Sequence, residues 1–334
     1  MTATQWTDAA TNALPHVTPD IANHGVREPI VSTVIPTFGR ARLVTRAVRS
    51  ALAQTLRDIE VIVVLDGDDP ETNVALRAID DPRLRVIALA HNVGPSDARN
   101  TGVQASRAKW IAFLDDDDEW EPRKLEAQLA CAQRSRFLRP VVSCRATILE
   151  AGGATQRPRR YPRVGEPVSE YLFRRYSLRT GESFLGTPTL FAPRELVVRV
   201  PFPSGLREYE DYEWCLRAGA ESGVGFEFVS EPLVVVHWEH ATSRVQRWQW
   251  ALEWAEANRE LFTPRAYAGF LAHRVGSMAA QAGAWETFLP LLRQVIALDG
   301  VRPLDLGLYT ARWCLHAVRR HSRTALNAAI GAFR

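Results

Sequence analysis

"WIAFLDDDDEW", Trp110–Trp120, sets a short apolar run directly against four consecutive carboxylates, Asp115 to Asp118. Like charges at that spacing repel, and folding by itself gives no reason to gather them. A short continuous apolar run closed by a polar turn reads as a strand buried on both faces, so the carboxylates stand at the strand's exit. Asp115 and Asp117 are spaced i and i+2, which lets both present oxygens to one hard cation, Mg²⁺ or Mn²⁺. Such an ion takes few protein ligands and completes its shell with substrate phosphates. The competing explanation is helix initiation, with Asp118 capping a helix that Pro122 opens. That accounts for Asp118 and leaves Asp115 and Asp117 unexplained.

Working outward, the same strand pattern recurs upstream. "PIVSTVIPTFGR" is a β-branched run leading into a loop at Pro36. "IEVIVVLDGDDP" is a second apolar strand, Ile59 to Leu65, ended by an acidic turn, and "RLRVIAL" is a third. Between them, Leu43, Val44, Ala47, Val48, Ala51 and Leu52 recur at helical spacing, and shorter helical patterns lie around 72–79 and 96–105. Strands alternating with helices predict βαβ units and a mostly parallel sheet, covered on both faces. Ligands of open α/β sheets sit outside the carboxyl ends of the strands. The acidic turn Asp66, Asp68 and Asp69 and the run Asp115 to Asp118 therefore meet at one edge. The chain has neither G-x-G-x-x-G nor a P-loop, so a phosphate there has to be met by metal and by scattered cationic or histidine side chains.

Downstream the pattern changes. A strand, "PVVSCRATIL", precedes a Gly/Pro/Arg-rich loop, "EAGGATQRPRRYPR", followed by "GTPTLFAPREL", "REYEDYEWCLRAG" and "EPLVVVHWEHATSR". From about Val245 the pattern is helical, with tryptophans at 248, 250, 254, 285 and 313. The expected organisation is a flexible lead-in (1–28), a catalytic domain (29–244, with halves 29–140 and 141–244) and a helical C-terminal region (245–334).

Composition narrows the class. With 334 residues, 46% of them hydrophobic, the chain can bury one large core or two smaller ones. A net charge of +3 gives no support to nucleic acid as a partner. No apolar stretch nears the roughly 18 residues of a membrane span. The N-terminus lacks the basic leader and apolar core of a secretory signal, and its polar composition reads as a lead-in. Cys131, Cys144, Cys215 and Cys314 lie far apart, which excludes a clustered zinc site or disulfide framework and fits free thiols in a reducing cytoplasm.

The ordered series "VSTVIPTFGR", "SALAQTLRDIEVIVVLDGDD" and "NVGPSDARNTGVQASRAKWIAFLDDDDEWEPRKLEAQL" resembles the family 2 glycosyltransferases of the GT-A fold, from about Val31 to Arg244. The resemblance implies an α/β, Rossmann-like sheet flanked by helices, with a C-terminal helical extension. It implies an inverting, metal-dependent transfer of a sugar from a nucleotide-diphospho-sugar, expected to be a UDP-sugar, to a glycan or lipid-linked acceptor hydroxyl. Cell-surface polysaccharide or glycoconjugate synthesis is the expected setting. The implied nucleotide-sugar set is Pro36, Thr37, Phe38, Asp66, Arg99, Asp115, Asp116 and His240. Asp117, Asp115 and His240 are implied around the Mn²⁺ or Mg²⁺ ion, with Asp115 nearer the ribose and Asp117 on the diphosphate-bound metal. Asp116 and Asp118 stand behind that pair. "REYEDYEWCLR" is similar to the family's ED motif, which puts Asp211 on the catalytic-base position with Glu210 beside it. His237 is expected to be structural. The chain departs from the usual pattern at "DGDD", where DGS is usual, and at Phe38-Gly39, where tyrosine-asparagine is usual. Both changes bear on the donor base.

Seven arginines, at 157, 159, 160, 163, 174, 175 and 179, gather on the acceptor half and suit either an anionic acceptor or a solvated surface. The terminal segment places Leu308, Ala311, Trp313, Leu315 and Val318 among arginines, as in helices packed on a body or lying on an anionic membrane. A protein at the cytoplasmic membrane face fits the latter. Two other readings compete. A sugar-phosphate nucleotidyltransferase should carry a glycine-rich turn after the first strand, where "FGRARL" has one glycine. A degenerate scaffold or membrane adaptor would have no reason to keep Asp66, Asp115, Asp117 and Asp211.

Overall fold

The computed structural model describes residues 28–177, 181–206, 208–238 and 247–316. Four strands make the parallel half of the sheet: β1 (Val31–Thr37), β2 (Ile59–Leu65), β3 (Leu84–Ala88) and β4 (Trp110–Phe113). They are followed by β5 (Glu119–Trp120), β6 (Arg139–Glu150), β7 (Gly153–Arg157), β8 (Phe191–Pro193) and β9 (Val224–His237). The order across the sheet is β3-β2-β1-β4-β8-β6-β9-β5, with β7 paired to β6. The second half is mixed: β6 runs parallel to β9, while β8, β5 and β7 pair antiparallel to their neighbours. β7 lies inside the stretch that reads as a Gly/Pro/Arg loop. Its residues have little apolar content, so the pairing of Ala146–Glu150 with Gly153–Arg157 left no periodic trace.

Helices cover both faces, as the solid strands require. Helices α1 (Ala41–Leu52), α2 (Pro70–Arg77) and α4 (Lys124–Arg134) pack on one face. Against the other lie α3 (Pro95–Ala105), α5 (Val168–Phe173), α6 (Arg194–Arg199) and α7 (Glu210–Ala220). The C-terminal region adds α8 (Trp248–Ala257), α9 (Pro264–Phe270), α10 (Gly276–Ala282) and α11 (Phe288–Ile296), then a helical stretch over 303–316. A π turn, Leu271–Val275, joins α9 to α10. These helices share one apolar cluster with Phe173, Tyr209 and Leu216 of the sheet-bearing body.

Two local features shape the edge where ligands are expected. β4 follows β1 only as far as Val34, so Pro36 sits where no β4 partner needs its missing N–H. The divergence of β1 and β4 beyond that point opens a gap at their carboxyl ends, at the junction of the β1-β2-β3 side with the rest of the sheet. On α3, a Cβ at Gly102 would stand 2.4 Å from Val34 Cγ1, so only glycine lets this helix press against β1. That close approach carries Arg99, one turn earlier, to the edge of the sheet.

Candidate active site

A cleft of 1120 Å³ opens at that edge, lined by the loop after β1, the Asp115–Asp118 turn, the start of α7 and the end of β9. The four carboxylates separate by burial. The side chains of Asp115 and Asp117 are 29% and 33% exposed, whereas that of Asp116 is 8% exposed and Asp118 is buried. The alternation expected from the sequence is therefore present, with Asp115 and Asp117 open to the cleft. Asp116 turns to the β1 loop, accepting from Thr37 Oγ1 at 2.7 Å and from Arg40 Nη1 at 2.9 Å. Arg40 also donates to Asp117 at 3.1 Å. Burial pushes Asp116 up to about 6, against the pull of Thr37 and Arg40. Burial and the neighbouring Asp115 raise Asp117 as well.

Asp118 is not a helix cap. α4 begins at Lys124, and the Asp118 carboxylate instead accepts the backbone N–H of His237 at 3.0 Å, tying the turn to the end of β9. Its folding role is thus a cross-link, one that local spacing could not reveal. Burial, with Asp115 next, holds it well above the usual carboxylate range. His237 completes the tie by placing Nε2 3.0 Å from Glu119. The expected structural role of His237 fits these contacts. His240, expected on both the diphosphate and the metal, lies outside the described residues.

Asp66 lines the cleft, but its carboxylate accepts the N–H groups of Val93 at 2.7 Å and Gly94 at 2.9 Å. It thereby pins the loop that precedes α3, the wall facing Pro36 and Phe38. Phe38, half exposed, stands in the cleft as a free aromatic face. Of the additional charge in "DGDD", Asp69 caps α2 through the Thr72 N–H and also accepts from Gly39 N at 2.7 Å.

The centre of the site is Arg99, which is buried rather than being a charge on a helix surface. Its Nη2 donates to Asp115 at 2.6 Å, and its Nη1 lies 3.6 Å from Glu210. Burial works against the charge, but Asp115 and Glu210 outweigh it and hold the guanidinium protonated. Nε and Nη1 have no hydrogen-bond acceptor among the described residues, so the group keeps donor capacity in hand. Through Arg99 the strand-exit carboxylates and the Glu210–Asp211 pair become one constellation. Burial, then the charge of Glu210, raises Asp211 to about 7. Its Oδ1 accepts the Tyr212 N–H at 2.7 Å, which fixes the carboxylate at the first turn of α7.

That turn is held from the C-terminal region, a contribution sequence reasoning missed. Tyr209, immediately before the pair, takes a left-handed conformation with φ of 66°, rare for a bulky residue. Its ring stacks on Trp250 at 5.1 Å and on Trp254 at 4.9 Å, and Trp254 Nε1 donates to Glu213 at 3.0 Å. Arg274, from the π turn, lines the cleft and donates to the Tyr212 hydroxyl at 3.1 Å. The tryptophans at 250 and 254 were visible in the sequence, but nothing local connected them to Tyr209. A π turn leaves no sequence signal, though such turns are frequent at functional sites.

The donor set suits a hard divalent ion under one condition. Asp117 and Asp115 offer carboxylate oxygens, and their mutual repulsion is what a cation would relieve. No group of three or more His, Cys, Asp or Glu side chains arranged to hold a metal exists among the described residues. The pair therefore fits an ion that also takes oxygens from a substrate, as Mg²⁺ characteristically does. The cysteines are free, and among the described residues no helix is long and apolar enough to cross a membrane.

The chain can now be compared with known proteins. Residues 32–195 match the model of the family described as glycosyl transferase family 2. The succinoglycan biosynthesis protein ExoO of Rhizobium meliloti is 44% identical over 101 residues, a match covering 30% of this chain and 29% of that protein. Longer matches run to the amylovoran biosynthesis glycosyltransferase AmsB of Erwinia amylovora, 23% identical over 75% of this chain and 87% of that one. The putative colanic acid biosynthesis glycosyl transferase WcaA of Escherichia coli is 25% identical over 79% of this chain and 93% of its own. Among solved structures, S. aureus TarS 1–349 superposes with a TM-score of 0.54 at 17% identity, covering 88% of this chain and 91% of TarS 1–349. Mannosyltransferase PcManGT from Pyrobaculum calidifontis gives 0.52 at 21% identity, covering 90% of this chain and 89% of its own. These two share the fold, a GT-A-type sheet between helices. The family match begins one residue into β1 and runs past β8, across the strand-exit carboxylates, so the chain belongs to glycosyl transferase family 2 and is a glycosyltransferase.

Proposed function

We propose that the protein transfers a sugar, with inversion, from a nucleoside-diphosphate sugar to a hydroxyl of a glycan or lipid-linked acceptor in polysaccharide synthesis. The observation that carries this reading is Arg99 bridging Asp115 and Glu210 inside one cleft. The nucleotide lies against Pro36, Thr37 and Phe38, with Asp66 holding the facing loop. Asp115 stands by the ribose, and Asp116 keeps Thr37 and Arg40 in register behind it. Asp117, with Asp115 and the diphosphate, would hold Mn²⁺ or Mg²⁺, which when bound neutralises the charge that develops on the leaving diphosphate. Asp211 accepts the proton of the acceptor hydroxyl as that oxygen attacks the anomeric carbon from the face opposite the leaving group. Its raised proton affinity suits a base working near neutral pH. Glu210 raises its proton affinity, Arg99 favours its charged form, and the Tyr212 N–H orients it.

The names of the relatives support the pathway class, since three of them are described by succinoglycan, amylovoran and colanic acid biosynthesis. Structures with the same fold are described in complex with UDP-GlcNAc and with GDP-Man and Mn²⁺. A UDP-sugar is the donor we favour. We place the protein in the cytoplasm, with peripheral contact at the membrane face through the C-terminal helices, where Trp285, Leu289, Ile296 and Leu315 are exposed. The test is thermal stabilisation by a panel of nucleoside diphosphates, with and without Mn²⁺, on the wild type and Asp117→Ala. A metal-dependent rise with one nucleotide, lost in the variant, is expected. A folded wild type that responds to none of them overturns the reading.

A further inference from the structure

Most arginines that gather on the acceptor half are consumed inside the fold. Arg160 pairs with Glu166 at 2.7 Å, Arg157 with Glu150 at 2.8 Å, Arg175 with Glu182 at 3.5 Å, and Arg174 with Glu170. A guanidinium already neutralised in this way has little charge left for a ligand. Arg274 is different. Its Nη2 donates to the Tyr212 hydroxyl, and its guanidinium lies 5.6 Å from the Tyr209 ring and 5.7 Å from the Tyr212 ring. All of these partners are neutral, and no carboxylate of the described residues comes within ion-pair distance of it. Its charge is offset only at longer range, by Asp211 and Glu208, and a desolvated cation with no direct ion pair favours an anion that arrives later.

Arg274 shares the cleft with Asp211, Arg157 and Trp238. Trp238 is 40% exposed, with the Arg157 guanidinium 4.8 Å from its ring and Phe184 set edge-on at 6.3 Å. An exposed indole braced in a cleft offers a flat apolar face to the C–H face of a sugar ring. Glu208 and Asp211 line the same space and repel a freely placed anion, so only an anion seated on the guanidinium fork is favoured.

We propose that Arg274, with the Trp238 ring that Arg157 braces, forms an acceptor subsite selective for a sugar bearing a carboxylate or phosphate substituent. The sugar ring rests on Trp238, its anionic group takes the uncommitted N–H donors of Arg274, and a hydroxyl is presented to Asp211. The assignment of this half of the cleft to the acceptor rests on the glycosyl-transfer reading above.

The test uses the full chain with a chelator present, so that the donor half cannot recruit phosphate through a metal. Binding of methyl glucuronide, glucose 6-phosphate and methyl glucoside is measured by calorimetry on the wild type, Arg274→Gln and Arg274→Lys. One or both anionic sugars should bind about tenfold or more tightly than the neutral one, as expected for a charge-assisted hydrogen bond. The two anionic arms tell carboxylate from phosphate. Arg274→Gln should abolish the preference, while Arg274→Lys retains part of it. Continued stabilisation of each variant by a nucleoside diphosphate with Mn²⁺ reports that its fold is intact. Equal affinities for charged and neutral sugars, or a preference that survives Arg274→Gln, overturn the subsite. A retained anion preference in a protein that transfers no sugar from any nucleotide-sugar overturns the transfer reading instead.

Discussion

At the scale of single residues, the site separates groups that touch substrate from groups that hold those in place. In the proposed mechanism Asp211 belongs to the first kind. Because burial and Glu210 raise its proton affinity to about 7, the carboxylate is mostly protonated under mildly acidic conditions and becomes a competent base as pH rises. kcat/KM should therefore climb on the acid side of its pH profile with an apparent pKa near that value. Asp211→Asn should lower transfer by roughly 10²- to 10⁴-fold while leaving nucleotide-dependent thermal stabilisation in place. Transfer that persists undiminished in this variant removes Asp211 from the base position. Asp66 and Asp118 belong to the second kind, each accepting backbone N–H groups that set a loop or a strand end.

At the scale of elements, α7 is the part most dependent on its surroundings. Its first turn gathers Glu210, Asp211 and Glu213, which favours the helix N-terminus electrostatically, but no side chain caps it. What fixes its start is the left-handed Tyr209, locked by the rings of Trp250 and Trp254 from α8. Trp250→Ala removes one face of that stack and leaves Trp254 and its bond to Glu213. The expected result is a fall in kcat of roughly 10- to 100-fold, since small misplacements of a base are costly, with the nucleotide affinity unchanged. Equal losses in nucleotide affinity and kcat, read from titration and initial rates, would mean that α8 supports the body generally rather than the base. The pressing of α3 onto β1 at Gly102 is the corresponding device for Arg99.

At the scale of the whole molecule, the helices over 248–316 and the sheet-bearing body share a core. Phe173, Tyr209 and Leu216 pack into the same cluster as Trp254, Phe270 and Tyr309. Cutting the chain after residue 244 would expose those side chains and remove Arg274 from the cleft. The truncated protein should lose its cooperative thermal transition and near-ultraviolet circular dichroism, signs that fixed packing is gone. A sharp melt from the truncated chain would show that the catalytic body is self-sufficient.

The strands, the helices between them and the alternation of Asp115 with Asp117 were legible from the chain alone, because apolar runs and spacing are local properties that burial acts on directly. The motif series carried Asp211 and Arg99 as well, although no spacing argument could tell Arg99 from a charge on a helix surface. Its burial exists only because Asp115 and Glu210 converge on it from separate parts of the chain. Asp118 read as a helix cap for the same reason, since its partner is the backbone of β9. β7, the clamp on Tyr209 and the placement of Arg274 likewise arise from pairings between distant segments. Sequence determined which residues could do the chemistry; tertiary structure decided which of them are buried, neutralised or left with an unpaired charge facing the cleft, because desolvation and ion pairing depend on neighbours that spacing does not reveal.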